Sequence, residues 1–210
     1  MLEKMNLPNK LTMLRIILVP IFVVILAVAT VIEDATVASI LGWVALAIYV
    51  IASITDTLDG QISRRNNIVT KFGKIMDPLA DKLLVSSGFI MLTGLGIVPA
   101  VITAVVVFRD FFVNSLRMFG SDNGKDVAAG ISGKIKTVFQ MLTVVLGLFG
   151  FALNPEFKIF GFLGETYELS VVEVFANVAF TLCAVCALVA TIWSFVEYFN
   201  RFKDDINVEE

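Results

Sequence analysis

The fold of this chain is decided by residues 36–65, which read TVASILGWVALAIYVIASITDTLDGQISRR. The run carries no charge before Asp56, and then carboxylates, a glycine and two arginines follow within a few residues. A helix needs about 20 apolar residues to cross the hydrocarbon core of a bilayer. The run therefore predicts a transmembrane helix whose charged end reaches one membrane surface.

The composition of the whole chain points to the same class of protein. Of the 210 residues, 58% are hydrophobic and 17% are charged, whereas a soluble domain has about 45–50% and about 25%. Several apolar segments are long enough to span a membrane. We predict an all-α integral membrane protein with six transmembrane helices in one domain over residues 1–210. The predicted spans lie at about 11–32, 36–59, 78–97, 98–119, 134–153 and 170–199.

The positions of lysine and arginine predict the orientation in the membrane. With the N-terminus inside, every lysine and arginine except Lys158 lies on the cytoplasmic side. The cytoplasmic segments are then 1–15, 60–82, 109–136 and 201–210. Both termini and the charged clusters are therefore expected at the cytoplasmic face. The expected surroundings of the helices are membrane lipids, and no nucleic-acid partner is expected.

The residue types exclude several kinds of catalysis. The chain contains no histidine, so Ser-His-Asp and Cys-His nucleophiles, histidine zinc sites and a histidine base are ruled out. Cys183 and Cys186 have a C-x-x-C spacing, but they lie inside the last apolar run and are expected to be packing residues.

Two pairs of aspartates carry the chemistry that remains. Asp56 and Asp59 are spaced i, i+3, and Asp77 and Asp81 are spaced i, i+4, so each pair shares one face of a helix. A short loop between neighbouring helices would bring the pairs together. Four carboxylates without histidine or cysteine suit a hard divalent cation, and such a set can hold two ions that clamp a phosphoryl group. The alternative is that the aspartates are helix caps or solvated ends paired with nearby basic residues.

The same stretch resembles the signature of the CDP-alcohol phosphatidyltransferases, D-x-x-D-G-x-x-A-R, eight residues, G-x-x-x-D-x-x-x-D. Ser63 stands where the family usually has alanine, and the six-span layout extends the resemblance over most of the chain. The matching positions are Asp56, Asp59, Gly60, Arg64, Gly73, Asp77 and Asp81.

The resemblance implies that a phosphatidyl group passes from a CDP-linked donor to an alcohol and that CMP is released. Asp81 would be the general base, and the divalent metal would be Mg²⁺ or Mn²⁺, in two ions. Dimers are usual in the family, so the resemblance implies a homodimer, and a bacterial cell membrane is its expected setting. The implied metal ligands are Asp56, Asp59, Asp77 and Asp81. The implied donor-binding residues include Asp56, Gly60, Ser63, Arg64 and Gly73.

A second, basic group is expected to bind a phosphate on the acceptor. Its members are Arg109, Arg117, Lys134 and Lys136. The glycines before Lys134 lead into a helix N-terminus, which favours an anion. On a regular helix Lys134 and Lys136 point apart, so either the first turn is irregular or one lysine faces the site. Asp110 is expected to hold a basic side chain in place. The alternative is a basic flank that contacts anionic lipid headgroups.

Residues 6–15, 77–82 and 133–137 resemble the bacterial branch of the family that uses sn-glycerol 3-phosphate. This implies CDP-diacylglycerol as donor, with Asn9, Thr12 and Arg15 along the donor site; Asn9 is equally suited to cap a helix. The alternatives are another acceptor, as in a cardiolipin synthase or a phosphatidylinositol-phosphate synthase, or a cation pathway. A pathway would need polar groups through both halves of the membrane, whereas the aspartates lie near one face.

Overall fold

The fold is a bundle of long helices. The computed structural model describes residues 7–66, 71–122, 131–159 and 170–206, with the side chains of residues 9–56, 76, 79–116, 133–159 and 170–200. The helices are α1 (Leu7–Ala29), α2 (Ala35–Asn66), α3 (Lys71–Gly94), α4 (Ala100–Asp122), α5 (Ile131–Leu153) and α6 (Val171–Ile206). Within these described ranges the prediction of six helical segments is confirmed, and α2, α3 and α6 continue beyond the predicted spans at their charged ends.

Four of these helices, α1, α2, α5 and α6, are long and apolar enough to cross a membrane. The helices α3 and α4 have similar lengths, but each carries charged residues along it, such as Asp81 and Lys82 in α3 and Arg109 and Asp110 in α4. The protein is thus a helical membrane protein, and the count of six spans stays a prediction for α3 and α4.

Capping side chains and a glycine turn define helix boundaries at the end of the bundle opposite the aspartates. The Asp34 carboxylate accepts hydrogen bonds from the backbone N–H groups of Thr36 and Val37, which caps α2. Ser170 and Glu173 form a reciprocal capping box at the start of α6. Gly96, with a φ of 73°, makes the tight turn from α3 to α4 in a conformation that favours glycine.

Helices that are not consecutive in the sequence pack against each other. The helix α1 packs against α2 and α3, α2 packs against α5, α5 packs against α6, and α4 lies against α3 and α6. The core between them is apolar and includes Phe22, Tyr49, Phe89, Leu148 and Phe180. Large apolar side chains such as Phe175 and Trp193 are exposed on the outside, as expected for a surface in contact with lipid.

Gly42 allows α2 and α5 to approach closely, so we expect Gly42→Ala to destabilise the bundle. A Cβ at this position would lie 2.9 Å from Phe151 Cδ1 and 3.0 Å from Ala152 Cα. Forcing a methyl group into such a contact costs about 1–3 kcal/mol. Thermal unfolding in detergent, followed by circular dichroism, measures the loss. Gly94→Ala is the matched control, because a Cβ there meets nothing within 4 Å; equal midpoints for both variants would contradict the close packing.

Candidate active site

The helices α2 and α3 carry the aspartates that the sequence singled out. The helix α2 is continuous through Asp56, Asp59 and Arg64, and α3 includes Asp77 and Asp81. Each aspartate pair therefore lies within one regular helix, with the spacing that puts both members on one face. The following predicted site residues lie outside the residues whose side chains the structure describes: Asp59, Gly60, Ser63, Arg64, Gly73, Asp77 and Arg117.

Asp56 forms an ion pair with Arg15 across the contact between α1 and α2. The Arg15 Nη1 to Asp56 Oδ1 distance is 2.6 Å, and the Arg15 side chain is fully buried while that of Asp56 is 28% exposed. A buried charge requires a partner of opposite sign. The sequence predicts Arg15 in the donor site, and in the structure it is the ion-pair partner of a predicted metal ligand. Thr12 is buried one turn before Arg15, and Asn9 is half-buried one turn earlier.

Asp81, in α3, lies in the same region of the bundle as Asp56. Its side chain is 32% exposed, with Lys82 Nζ 3.9 Å from the carboxylate. Both Asp56 and Asp81 interact electrostatically with the hydroxyl of Tyr49, which is fully buried two turns before Asp56. The Tyr49 ring fits beside Gly88, where a Cβ would lie 3.1 Å from Tyr49 Cε2. Asp56 and Asp81 are therefore both within electrostatic range of the same buried tyrosine.

The described carboxylates alone do not complete a metal centre. Among the described residues no group of three or more possible ligands comes together, and the side chains of Asp59 and Asp77 lie outside that set. The donors that are described, Asp56 and Asp81, are both carboxylates, partly exposed and on facing helices. This chemistry fits a hard divalent cation.

A second charged cluster joins α4 and α5, and we call Arg109, Asp110 and Lys136 the buried triad. Arg109 Nη1 lies 3.3 Å from Asp110 Oδ1, and Lys136 Nζ donates to the same oxygen. All three side chains are buried. The expectation that Asp110 holds a basic side chain is confirmed. The three groups together carry a net positive charge, so the triad is suited to bind an anion.

Only one of the two lysines at the start of α5 joins this cluster. The helix is regular from Ile131 onwards, and residues two apart on a helix point in different directions. Lys136 is buried in the triad, whereas Lys134 is exposed. The alternative in which a single lysine faces the site is therefore the one that the structure supports.

Several polar residues next to the triad are not singled out by any motif in the sequence. Ser194 Oγ accepts a hydrogen bond from Arg109 Nη2, and the Tyr198 ring lies 5.6 Å from Arg109 Cζ. Gln140 Nε2 donates to Thr191 Oγ1 at 3.2 Å. The available signal was the spacing of Thr191, Ser194 and Tyr198, which puts three polar side chains on one face of an apolar helix.

Lys82 relates the triad to the carboxylates. Its Nζ lies 3.9 Å from the Asp81 carboxylate, and its charge repels that of Lys136. The acidic site and the triad therefore both lie within electrostatic range of Lys82. Such a site can hold a phosphate group while a carboxylate next to it accepts a proton.

Comparison with known proteins identifies the family of this chain. The model of the CDP-alcohol phosphatidyltransferase family matches residues 5–193, and the chain belongs to this family. A relative from Bacillus subtilis (strain 168), named CDP-diacylglycerol–glycerol-3-phosphate 3-phosphatidyltransferase, is 43% identical over 148 residues, which cover 66% of this chain and 74% of the relative.

Two further relatives extend the comparison. A protein of the same name from Salmonella paratyphi A is 28% identical over 211 residues, covering 96% of this chain and 97% of the relative. A probable phosphatidylglycerophosphate synthase from Mycobacterium tuberculosis (strain H37Rv) is 37% identical over 149 residues, covering 71% of this chain and 68% of the relative.

Proposed function

We propose that this protein transfers the phosphatidyl group of CDP-diacylglycerol to sn-glycerol 3-phosphate, giving phosphatidylglycerophosphate and CMP. Family membership and the names of the relatives support the reaction. The observation that carries the choice of acceptor is the buried triad, in which Arg109 and Lys136 share the Asp110 carboxylate. A small acceptor with a phosphate group can place that phosphate on the triad and its hydroxyl near Asp81.

The charge of the triad favours a phosphorylated acceptor. Two buried cations share the single carboxylate of Asp110, and an excess buried charge is costly unless a counter-ion is bound. A phosphate supplies that counter-ion and accepts several charge-assisted hydrogen bonds. Arg109 and Lys136 are therefore proposed to bind the acceptor phosphate, together with Arg117 and Lys134 at the edge of the site.

In the proposed reaction Asp81 is the catalytic residue. Its carboxylate takes the proton from the acceptor hydroxyl, and the resulting oxygen forms a bond to the phosphorus that carries diacylglycerol. The bond from this phosphorus to the phosphate oxygen of CMP breaks, and CMP leaves with those electrons. The partial exposure of Asp81 gives the acceptor access to the base. The proposed donor-binding residues are Asn9, Thr12, Arg15, Asp56, Gly60, Ser63, Arg64 and Gly73.

The carboxylate set fits two Mg²⁺ or Mn²⁺ ions, with Asp56, Asp59, Asp77 and Asp81 as the proposed ligands. When bound, such ions neutralise a diphosphate and make CMP a better leaving group. Arg15 holds the Asp56 carboxylate in one orientation through their ion pair.

The remaining parts of the proposal concern the setting of the enzyme. The distribution of lysine and arginine supports six spans, both termini in the cytoplasm and an active site at the cytoplasmic face of the cell membrane. The family resemblance supports a homodimer, and the match over residues 5–193 supports a single catalytic domain.

The proposed reaction is tested by CMP release from purified protein in detergent with CDP-diacylglycerol and Mg²⁺ or Mn²⁺. Glycerol 3-phosphate, inositol phosphate, serine and phosphatidylglycerol are supplied in parallel, and mass spectrometry identifies the lipid product. We expect turnover only when glycerol 3-phosphate is the acceptor. This turnover should be lost when a chelator is added and restored by excess metal. Turnover only with another acceptor would overturn the choice of glycerol 3-phosphate, and no turnover from folded protein would overturn the reaction.

A further inference from the structure

The helix α6 presents one polar face to the buried triad, although it is otherwise apolar. Thr191, Ser194 and Tyr198 follow one another at intervals of three and four residues, and all three are buried. None of them carries a charge at neutral pH, so none is an ion-pair partner of the substrates or of the triad. Their contacts with α4 and α5 therefore suggest a different kind of role.

The contacts of Arg109 come from two helices and meet different parts of its guanidinium group. Asp110 contacts Nη1, whereas Ser194 of α6 accepts a hydrogen bond from Nη2. The ring of Tyr198 lies 5.6 Å from Cζ, within the range of a cation–π interaction. Contacts on the edges together with an aromatic ring fix the orientation of the planar guanidinium group, which otherwise varies with the rotatable bonds of the arginine side chain.

A second link ties α5 to the same face of α6. Gln140 lies one turn after Lys136, and its Nε2 donates to Thr191 Oγ1. Thr191 Oγ1 in turn donates to the backbone carbonyl of Ala187 at 2.6 Å. Because this hydroxyl gives its one proton to Ala187, Gln140 must be the donor in their contact. The link holds the part of α5 that carries Lys136 against α6.

We propose that Ser194 and Tyr198 are positioning residues that hold the Arg109 guanidinium in the orientation that binds the acceptor phosphate. This inference rests on the proposed function, in which Arg109 contacts that phosphate. Neither residue touches the reacting atoms. Their effect is to reduce the orientational freedom that Arg109 would otherwise lose on binding, and preorganisation of this kind improves affinity without a new contact to the ligand.

The first test is Ser194→Ala in the full chain, with the KM values for glycerol 3-phosphate and for CDP-diacylglycerol measured separately. We expect the acceptor KM to rise about fivefold, which corresponds to a hydrogen bond worth about 1 kcal/mol. The donor KM should stay unchanged. A merely structural role would move both KM values, because it would disturb the bundle and not one binding group.

The matched control is Ser115→Ala, which removes a hydroxyl from α4 that donates to its own helix at Phe111. This variant should keep both KM values. If Ser194→Ala does not give folded protein, Tyr198→Leu tests the same inference, since it removes the ring and leaves the Ser194 hydrogen bond in place. It should also raise the acceptor KM and leave the donor KM alone.

The outcomes separate this inference from the reaction on which it rests. A wild-type protein that turns over glycerol 3-phosphate, with an unchanged acceptor KM in Ser194→Ala or in Tyr198→Leu, would overturn the positioning role alone. An equal rise in both KM values would do the same. A wild-type protein that turns over no phosphorylated acceptor would overturn the proposed function and the positioning role together.

Discussion

Asp81→Asn is expected to lower kcat by about two to four orders of magnitude, the usual contribution of a general base. The asparagine keeps the size of the side chain but cannot take the proton of the acceptor hydroxyl. Because Asp81 is partly exposed and its nearest described cation, Lys82, is 3.9 Å away, loss of its charge should not unfold the bundle. CMP release at saturating donor and acceptor measures the effect, and circular dichroism confirms the helical content.

The matched control for this variant is Asp34→Asn at the opposite end of α2. Asp34 caps the helix by accepting backbone hydrogen bonds, and asparagine caps a helix about equally well. The same chemical change should therefore leave kcat unaltered there. A folded Asp81→Asn protein with wild-type kcat would show that another group removes the proton.

Lys136→Gln is expected to raise the KM for glycerol 3-phosphate about 30-fold or more. Removing one member of a buried, hydrogen-bonded charge pair costs about 2 kcal/mol or more, and this converts to about a 30-fold change in affinity. The substitution also removes a positive charge from the triad, which leaves Asp110 to oppose Arg109 alone. Initial rates over a range of acceptor concentrations, at saturating CDP-diacylglycerol, give the acceptor KM.

Two other lysines show whether position or charge alone matters. Lys158→Gln changes an exposed lysine at the other end of the bundle, and it should leave the acceptor KM unchanged. Lys134→Gln changes an exposed lysine two residues before Lys136, and it should have a much smaller effect than Lys136→Gln because a solvated charge contributes little. Equal effects at positions 134 and 136 would contradict the assignment of the acceptor site to the buried triad.

Much of the fold was predictable because it depends on local sequence. The lengths of the apolar runs set the six helical segments, and the i, i+3 and i, i+4 spacings set which aspartates share a face. The charged ends of α2, α3 and α6 continue as helix beyond the predicted spans. The reason is that hydropathy reports where a helix can lie in lipid, and it does not report where the helix ends in water.

The partners of the charged residues were less predictable. Arg15 and Asp56 belong to different helices and lie far apart in the sequence. Only the packing of α1 on α2 selects this pair, at 2.6 Å. In the same way Ser194 is 85 residues from Arg109. A serine in an apolar helix does not indicate by its sequence context which side chain it will contact.

By itself the sequence determined that this is a helical membrane protein of a family that handles CDP-linked donors, because apolar run length and aspartate spacing are properties of neighbouring residues. The tertiary structure decided which of two lysines on α5 is buried, which arginine pairs with Asp56 and which uncharged residues surround Arg109. The Arg15–Asp56 pair depends on how α1 packs against α2, and the contacts of Arg109 and Lys136 depend on how α4, α5 and α6 are arranged. Helix packing selects contacts between residues far apart in the chain.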